Sequence, residues 1–192
     1  MILKLLSAIL VVTLISFLLQ WWQPQFLYVR EAVTQGEWWR ILTGQLVHTN
    51  WPHFALNVSS LALFALLFYN TACVRTFTIN LFLLVCGVGV CIHLLEPEIL
   101  WYAGLSGAIY GLYITGAYHA YVANDRFTAI AVVILVLAKV FSDHWFGPLQ
   151  DNSELIEARV VTESHLYGVI SAVLLCGLDA IYRHSKPTTQ LN

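Results

Sequence analysis

Residues 76–95 read TFTINLFLLVCGVGVCIHLL, twenty positions without a single Asp, Glu, Lys or Arg. A run of about 17–25 apolar residues is long enough to cross the hydrocarbon core of a bilayer as a helix. Working outward, five further runs have the same character, at residues 3–20, 51–69, 106–122, 127–146 and 164–182. The spacing predicts helices over each. The whole chain of 192 residues is 59% hydrophobic and only 10% charged, far below the roughly 25% charge of an ordinary soluble domain. So little polar surface cannot cover a water-soluble fold, and the solvent for most of the exterior must be lipid. The expectation is an all-α membrane protein, a bundle of six transmembrane helices forming a single domain over residues 1–192.

The connections refine this picture. Short polar turns at 70–75 and 124–126 join the second helix to the third and the fourth to the fifth. The segment after the first helix is long and aromatic, with Trp21, Trp22, Phe26, Tyr28, Trp38 and Trp39. Such side chains favour the membrane–water interface. Residues 147–163 are polar and acidic and read as an exposed loop. The first run could be a signal peptide, but it ends in Gln20-Trp21-Trp22-Gln23-Pro24 without a small-residue cleavage pattern, and reads as a retained helix. With a cytoplasmic N-terminus, Lys4, Arg75, Arg126, Arg183 and Lys186 share that side. Arg30, Arg40, Arg159 and most acids fall opposite. That agrees with the positive-inside rule and puts both termini in the cytoplasm.

A net charge of −2 gives no sign of a nucleic-acid partner. Cys73, Cys86, Cys91 and Cys176 lie in or beside apolar runs without metal-ligand spacing, and read as small buried hydrophobes. His48 and His53 raise a metal site, but neither an HExxH motif nor a carboxylate ligand set accompanies them, so no metal and no cofactor is expected.

Polar side chains within membrane helices are costly and are functional suspects. Three groups stand out. Gly104-Leu105-Ser106-Gly107 opens the fourth helix. The glycines leave room around the hydroxyl, and a helix N-terminus offers unpaired N–H groups suited to an oxyanion. Ser164-His165-Leu166-Tyr167-Gly168 opens the sixth, where His165 is able to serve as base and then acid. Gly168 and the pair Gly107/Gly111 are small faces that let these two helices approach, as a Ser106–His165 hydrogen bond requires. His53 and Asn57 lie four apart on one face of the second helix, and both side chains donate hydrogen bonds. Their bland readings are tight glycine packing, a structural histidine and an interhelical polar clasp. All three groups fall at one depth near the non-cytoplasmic side, which favours the catalytic reading.

Here the chain resembles the rhomboid family of intramembrane serine proteases. Trp39-Arg40 is similar to the family's tryptophan–arginine pair, His53 and Asn57 to its HxxxN element, Gly104, Ser106 and Gly107 to GxSG, and His165 and Gly168 to HxxG. The resemblance implies a Ser106–His165 dyad with no third acidic member. It implies an oxyanion held by His53, Asn57 and the backbone N–H groups of Leu105 and Ser106. It gives Tyr110 the place of an aromatic packed on His165, and makes the fifth helix and the loop after it a substrate gate. Finer features resemble the rhombosortase branch: the short chain, Trp39-Arg-Ile-Leu-Thr-Gly44, His48-Thr-Asn-Trp-Pro-His53, Lys139, and Ser164-His-Leu-Tyr-Gly168. That branch implies a bacterial inner-membrane enzyme open to the periplasm. Its partner would be a membrane-anchored precursor with a C-terminal Gly-Gly motif and apolar helix, and the enzyme would act as a monomer.

Some residues stand apart. Ala172 replaces a second glycine common in the family, which predicts slightly looser packing. Glu163 either charges His165 or faces water. His119, thirteen residues past Ser106, is about 20 Å along the helix and outside the site. His93 has no matching partner in the sequence. Lys139 and Asp143 have the i, i+4 spacing of a salt bridge on one face, either structural or a substrate contact near the gate. A catalytically silent binding protein would be expected to lack Ser106 or His165. A transporter would show midplane charges and inverted repeats, and neither is visible.

Overall fold

The computed structural model describes residues 2–147 and 153–185. Its elements in order are α1 (Ile2–Gln20), α2 (Gln23–Phe26), β1 (Tyr28–Val29), α3 (Arg30–Thr34), α4 (Arg40–Thr43), α5 (Trp51–Phe68), α6 (Val74–Leu95), β2 (Trp101–Tyr102), α7 (Ser106–Val122), α8 (Arg126–Phe146), α9 (Ser153–Ile156) and α10 (Thr162–Ser185). Among the described residues five helices, α1, α5, α6, α8 and α10, are long and apolar enough to cross a membrane. The sixth expected crossing is α7. Its 17 residues span about 25 Å, short of a typical core of about 30 Å.

α7 is the hub. It packs on α5, α6, α8 and α10, and ten of its seventeen residues are buried. Its small residues explain why. The seam with α10 is backbone on backbone: a Cβ on Gly168 would overlap the Gly107 carbonyl, and one on Gly111 would lie 2.6 Å from the Gly168 carbonyl oxygen. The other long helices turn large apolar side chains outward, among them Leu10, Leu66, Phe82, Leu135 and Leu178. Ala172, in the glycine position on α10, is fully buried in the core.

Local chemistry sets the helix starts. Asn50 caps α5 by accepting from the His53 N–H at 2.9 Å, and Pro52 follows in the first turn, where a missing N–H costs nothing. Asp125 caps α8 through the Thr128 N–H at 3.2 Å. Two predicted connections are shorter than expected: α6 already begins at Val74 and α8 at Arg126.

The aromatic segment between α1 and α5 is more structured than its composition suggested. It holds three one-turn helices and β1, which pairs antiparallel with β2, Tyr28 opposite Tyr102. Arg30 donates to the carbonyls of Ile92, His93, Glu96 and Ile99, capping the end of α6. Arg40 donates to Pro24 and Leu27 at 2.9 and 2.7 Å and pairs with Glu37. Gln20 brackets His48 from both sides, its amide donating to the carbonyl and accepting from the N–H, each at 2.8 Å. The loop expected at 147–163 contains α9, and α10 begins at Thr162; its residues 148–152 lie outside those described, as does Lys186.

Candidate active site

α7 begins at Ser106 without any side-chain cap, its N-cap position being Leu105. Its first-turn N–H groups therefore lack intrahelical acceptors. Gly104, just before, has φ +125°, and a Cβ there would meet His53 Cε1 at 2.6 Å and Nε2 at 2.8 Å. Only glycine fits both the left-handed backbone and the ring pressed against it. The Gly104 N–H donates to the Gly44 carbonyl at 3.1 Å, and the Tyr102 hydroxyl donates to the Gly104 carbonyl at 2.8 Å. The turn that aims Ser106 is thus held by the interfacial segment on one side and β2 on the other.

Across the glycine seam, His165 Nε2 lies 3.0 Å from Ser106 Oγ. The two residues are 59 apart in sequence and meet because Gly107 and Gly168 let the α7 and α10 backbones touch. The Tyr110 ring, one turn along α7, stacks on the imidazole with centroids 4.2 Å apart and planes within 8°. The imidazole is buried, 6% exposed, and the parallel stack holds the plane of its ring.

His53 and Asn57 face the same site from α5, and both are buried. Asn57 Nδ2 donates to the His53 carbonyl at 3.0 Å, which leaves its second amide proton for a ligand. Thr49 fixes the tautomer of His53. Its hydroxyl proton goes to the Ile156 carbonyl at 2.6 Å, so its oxygen meets His53 Nδ1, 3.1 Å away, as an acceptor. Neutral His53 then carries its proton on Nδ1, and Nε2 presents a lone pair. The reading of His53 as a ready donor thus requires a proton on Nε2 that this arrangement does not supply.

Two cavities meet at Ser106. One, about 260 Å³, is lined by Thr49, His53, Tyr102, Ser106, Ile156 and Arg159. The other, about 190 Å³, includes Asn57, Tyr110, Lys139, Asp143 and His165. A third, mostly apolar and about 300 Å³, lies between α5 and α8, and Tyr110 and Lys139 line it as well.

The remaining suspects sort clearly. Glu163 pairs with Arg159 at 2.9 Å, so neither expectation for it was complete. His93 does have a partner: the Tyr28 hydroxyl is 3.0 Å from its Nδ1. His119 sits in the last turn of α7, at the far end from Ser106. Lys139 and Asp143 form the expected ion pair at 2.5 Å. Three site neighbours escaped the sequence reading: Thr49, Tyr102 and the approach of Asp143 to His165. Tyr102, whose pKa burial raises above the ordinary 10, stands four residues before Ser106; a Trp-Tyr pair beside GxSG was the available signal.

Comparison with known proteins points to one family. A model of the rhomboid domain family matches residues 35–180. The protein named "Putative rhomboid protease YdcA" of Bacillus subtilis (strain 168) is 28% identical over 153 residues, covering 75% of this chain and 68% of its own.

Proposed function

Because the chain belongs to the rhomboid family, we propose that it is an intramembrane serine endopeptidase that cleaves membrane-anchored proteins, with Ser106 as nucleophile and His165 as its base. The observation that carries the reading is the 3.0 Å contact between Ser106 Oγ and His165 Nε2 at an uncapped helix N-terminus. His165 Nε2 takes the hydroxyl proton as Oγ attacks the scissile carbonyl. The tetrahedral oxyanion is held by the second amide proton of Asn57 and the N–H groups of Leu105 and Ser106; His53 joins only in the tautomer with its proton on Nε2, which requires Thr49 to turn its hydroxyl proton from the Ile156 carbonyl to Nδ1. The imidazolium returns the proton to the leaving amine as the C–N bond breaks. Water, or an amine acceptor, then attacks the Ser106 ester with His165 again as base. Gly104, Gly107 and Gly168 hold the backbones at the required separation, and Tyr110 steadies the ring. No cofactor or metal takes part.

α7 would be the sixth crossing of a single-domain monomer in a bacterial inner membrane, with both termini cytoplasmic and the site open to the periplasm. The apolar cavity between α5 and α8 would admit the substrate's membrane segment. The segments around Arg40, His53, Lys139 and His165 support a rhombosortase-type substrate, a precursor with a C-terminal Gly-Gly sorting tail. The likeness to YdcA favours a second reading, a rhomboid protease acting on other single-pass proteins.

Mass spectrometry of Gly-Gly tailed precursors, in cells with the wild type or the Ser106→Ala variant, tests both. Tail removal confined to the wild type is the expected result. Precursors intact in both strains would leave the second reading, and processing that survives Ser106→Ala would end the protease reading.

A further inference from the structure

A Ser–His dyad uses one ring nitrogen against the serine and leaves the other free to be anchored. His165 Nδ1 is buried and has no hydrogen-bond partner among the described residues. The group facing it is Asp143 Oδ2, at 3.9 Å. Asp143 comes from α8, its side chain only 1% exposed. Its two oxygens both accept from Lys139 Nζ, at 2.5 and 2.6 Å. An i, i+4 pair on a membrane helix could face outward at its end. This one keeps the carboxylate inside, beside the imidazole, and leaves the lysine side chain 36% exposed. The other polar groups lining the cavity with His165 are Ser106 and Tyr110 from α7, Lys139 from α8 and His53, Asn57 and Ser60 from α5. Among the described residues lining the cavity that contains His165, Asp143 is the one carboxylate.

Resting on the protease reading, we propose that Asp143 is a positioning residue for His165, turning the dyad into a triad-like arrangement whose carboxylate is itself tethered by Lys139. Asp143 accepts the Nδ1 proton of His165, which fixes the tautomer that leaves the Nε2 lone pair on Ser106. When Nε2 takes the serine proton, the carboxylate faces a cation instead of a neutral ring and stabilises it. The proton on Nδ1 stays there throughout, and nothing is transferred to Asp143. Closing from 3.9 Å to hydrogen-bond range needs a shift of roughly 1 Å. Lys139 offsets the cost of a lone buried carboxylate and holds its orientation.

The test uses the full-length protein in proteoliposomes, with a peptide substrate whose cleavage by the wild type depends on Ser106. Both kcat and KM are measured for Asp143→Asn, Asp143→Glu and the double variant Lys139→Met/Asp143→Asn, in which no unpaired charge is buried. The expected result is a fall in kcat of about 10²–10⁴-fold in Asp143→Asn, with KM within about twofold because the substrate is not touched. Asp143→Glu should recover about tenfold or more of that loss. The double variant should fold and show the same kcat defect. A merely structural role would give a melting defect without the kcat split. Either asparagine variant, folded and turning over at the wild-type kcat, overturns the positioning role and leaves the protease reading standing. A wild type without Ser106-dependent turnover overturns both.

Discussion

Ser106 has an ordinary hydroxyl, and everything unusual about it comes from its neighbours: an imidazole at 3.0 Å, a glycine on each side of the Leu105–Ser106 pair, and open N–H groups beneath it. His48 shows how strongly the fold constrains a side chain nearby. It is 1% exposed, and neither ring nitrogen meets a partner in the described residues. Burial first, then the neighbouring His53, push its pKa down to about 3. The unfolded chain takes up that proton below its ordinary pKa of about 6.5, whereas the folded protein refuses it down to about 3. Its contribution is therefore full above about pH 6.5 and falls on acidification by about 1.4 kcal/mol per pH unit across that window. Thermal unfolding in detergent at a series of pH values checks this. His48→Phe, which keeps a ring in the same space, should reduce the acid slope by one proton's worth, and an unchanged slope would contradict it. At this scale the sequence singled out Ser106, His165, His53 and Asn57, which the fold brings to one place, because glycine spacing and helical periodicity are local. It did not reveal that Thr49 sets the His53 tautomer through Ile156, 107 residues away. Nor did it reveal that Asp143 meets His165. The i, i+4 spacing predicted the ion pair, but α8 is apolar nearly all round and its pattern does not say which face turns inward.

At the scale of elements, the α7–α10 seam decides whether Ser106 and His165 meet. Gly168→Ala places a methyl group against the Gly107 carbonyl. Backbone cannot yield as a flexible side chain does, so the helices must part, at a cost of about 1–3 kcal/mol or more. Gly177→Ala, on the same helix, meets nothing within 4 Å and should change stability by no more than about 0.5–1 kcal/mol, upward if anything. Melting and peptide turnover compared for the two variants check the seam: Gly168→Ala should lower both, Gly177→Ala neither. Equal behaviour would mean that the close approach is dispensable. The long helices were legible because unbroken apolar runs of bilayer length have few other readings, and the bounds of α7 agree to the residue. The elements between α1 and α5 were not. β1, α3 and α4 are held by pairing with β2, by the carbonyls at the end of α6 and by Arg40, and contacts of that range leave no local pattern.

For the whole molecule, large apolar side chains cover the outside as well as filling the core, while the α7–α10 seam is built on glycines that let backbones touch. Two cavities, of about 260 and 190 Å³ and both lined by Ser106, sit at the end of α7 where the interfacial segment, β2 and α9 converge. The apolar space between α5 and α8 reaches the same place, with Lys139 lining both, so a membrane segment entering there would arrive beside the serine. The central claim is that this bundle makes Ser106 a nucleophile through His165. Its most direct test is labelling of the protein in native membranes by a fluorophosphonate probe, read by intact mass and by peptide mapping. A single adduct on Ser106, absent in Ser106→Ala and slowed by about 10²–10⁴-fold in His165→Ala, is the predicted result. A folded wild type that takes up no label, or labelling of Ser106 that proceeds at full rate without His165, would contradict it.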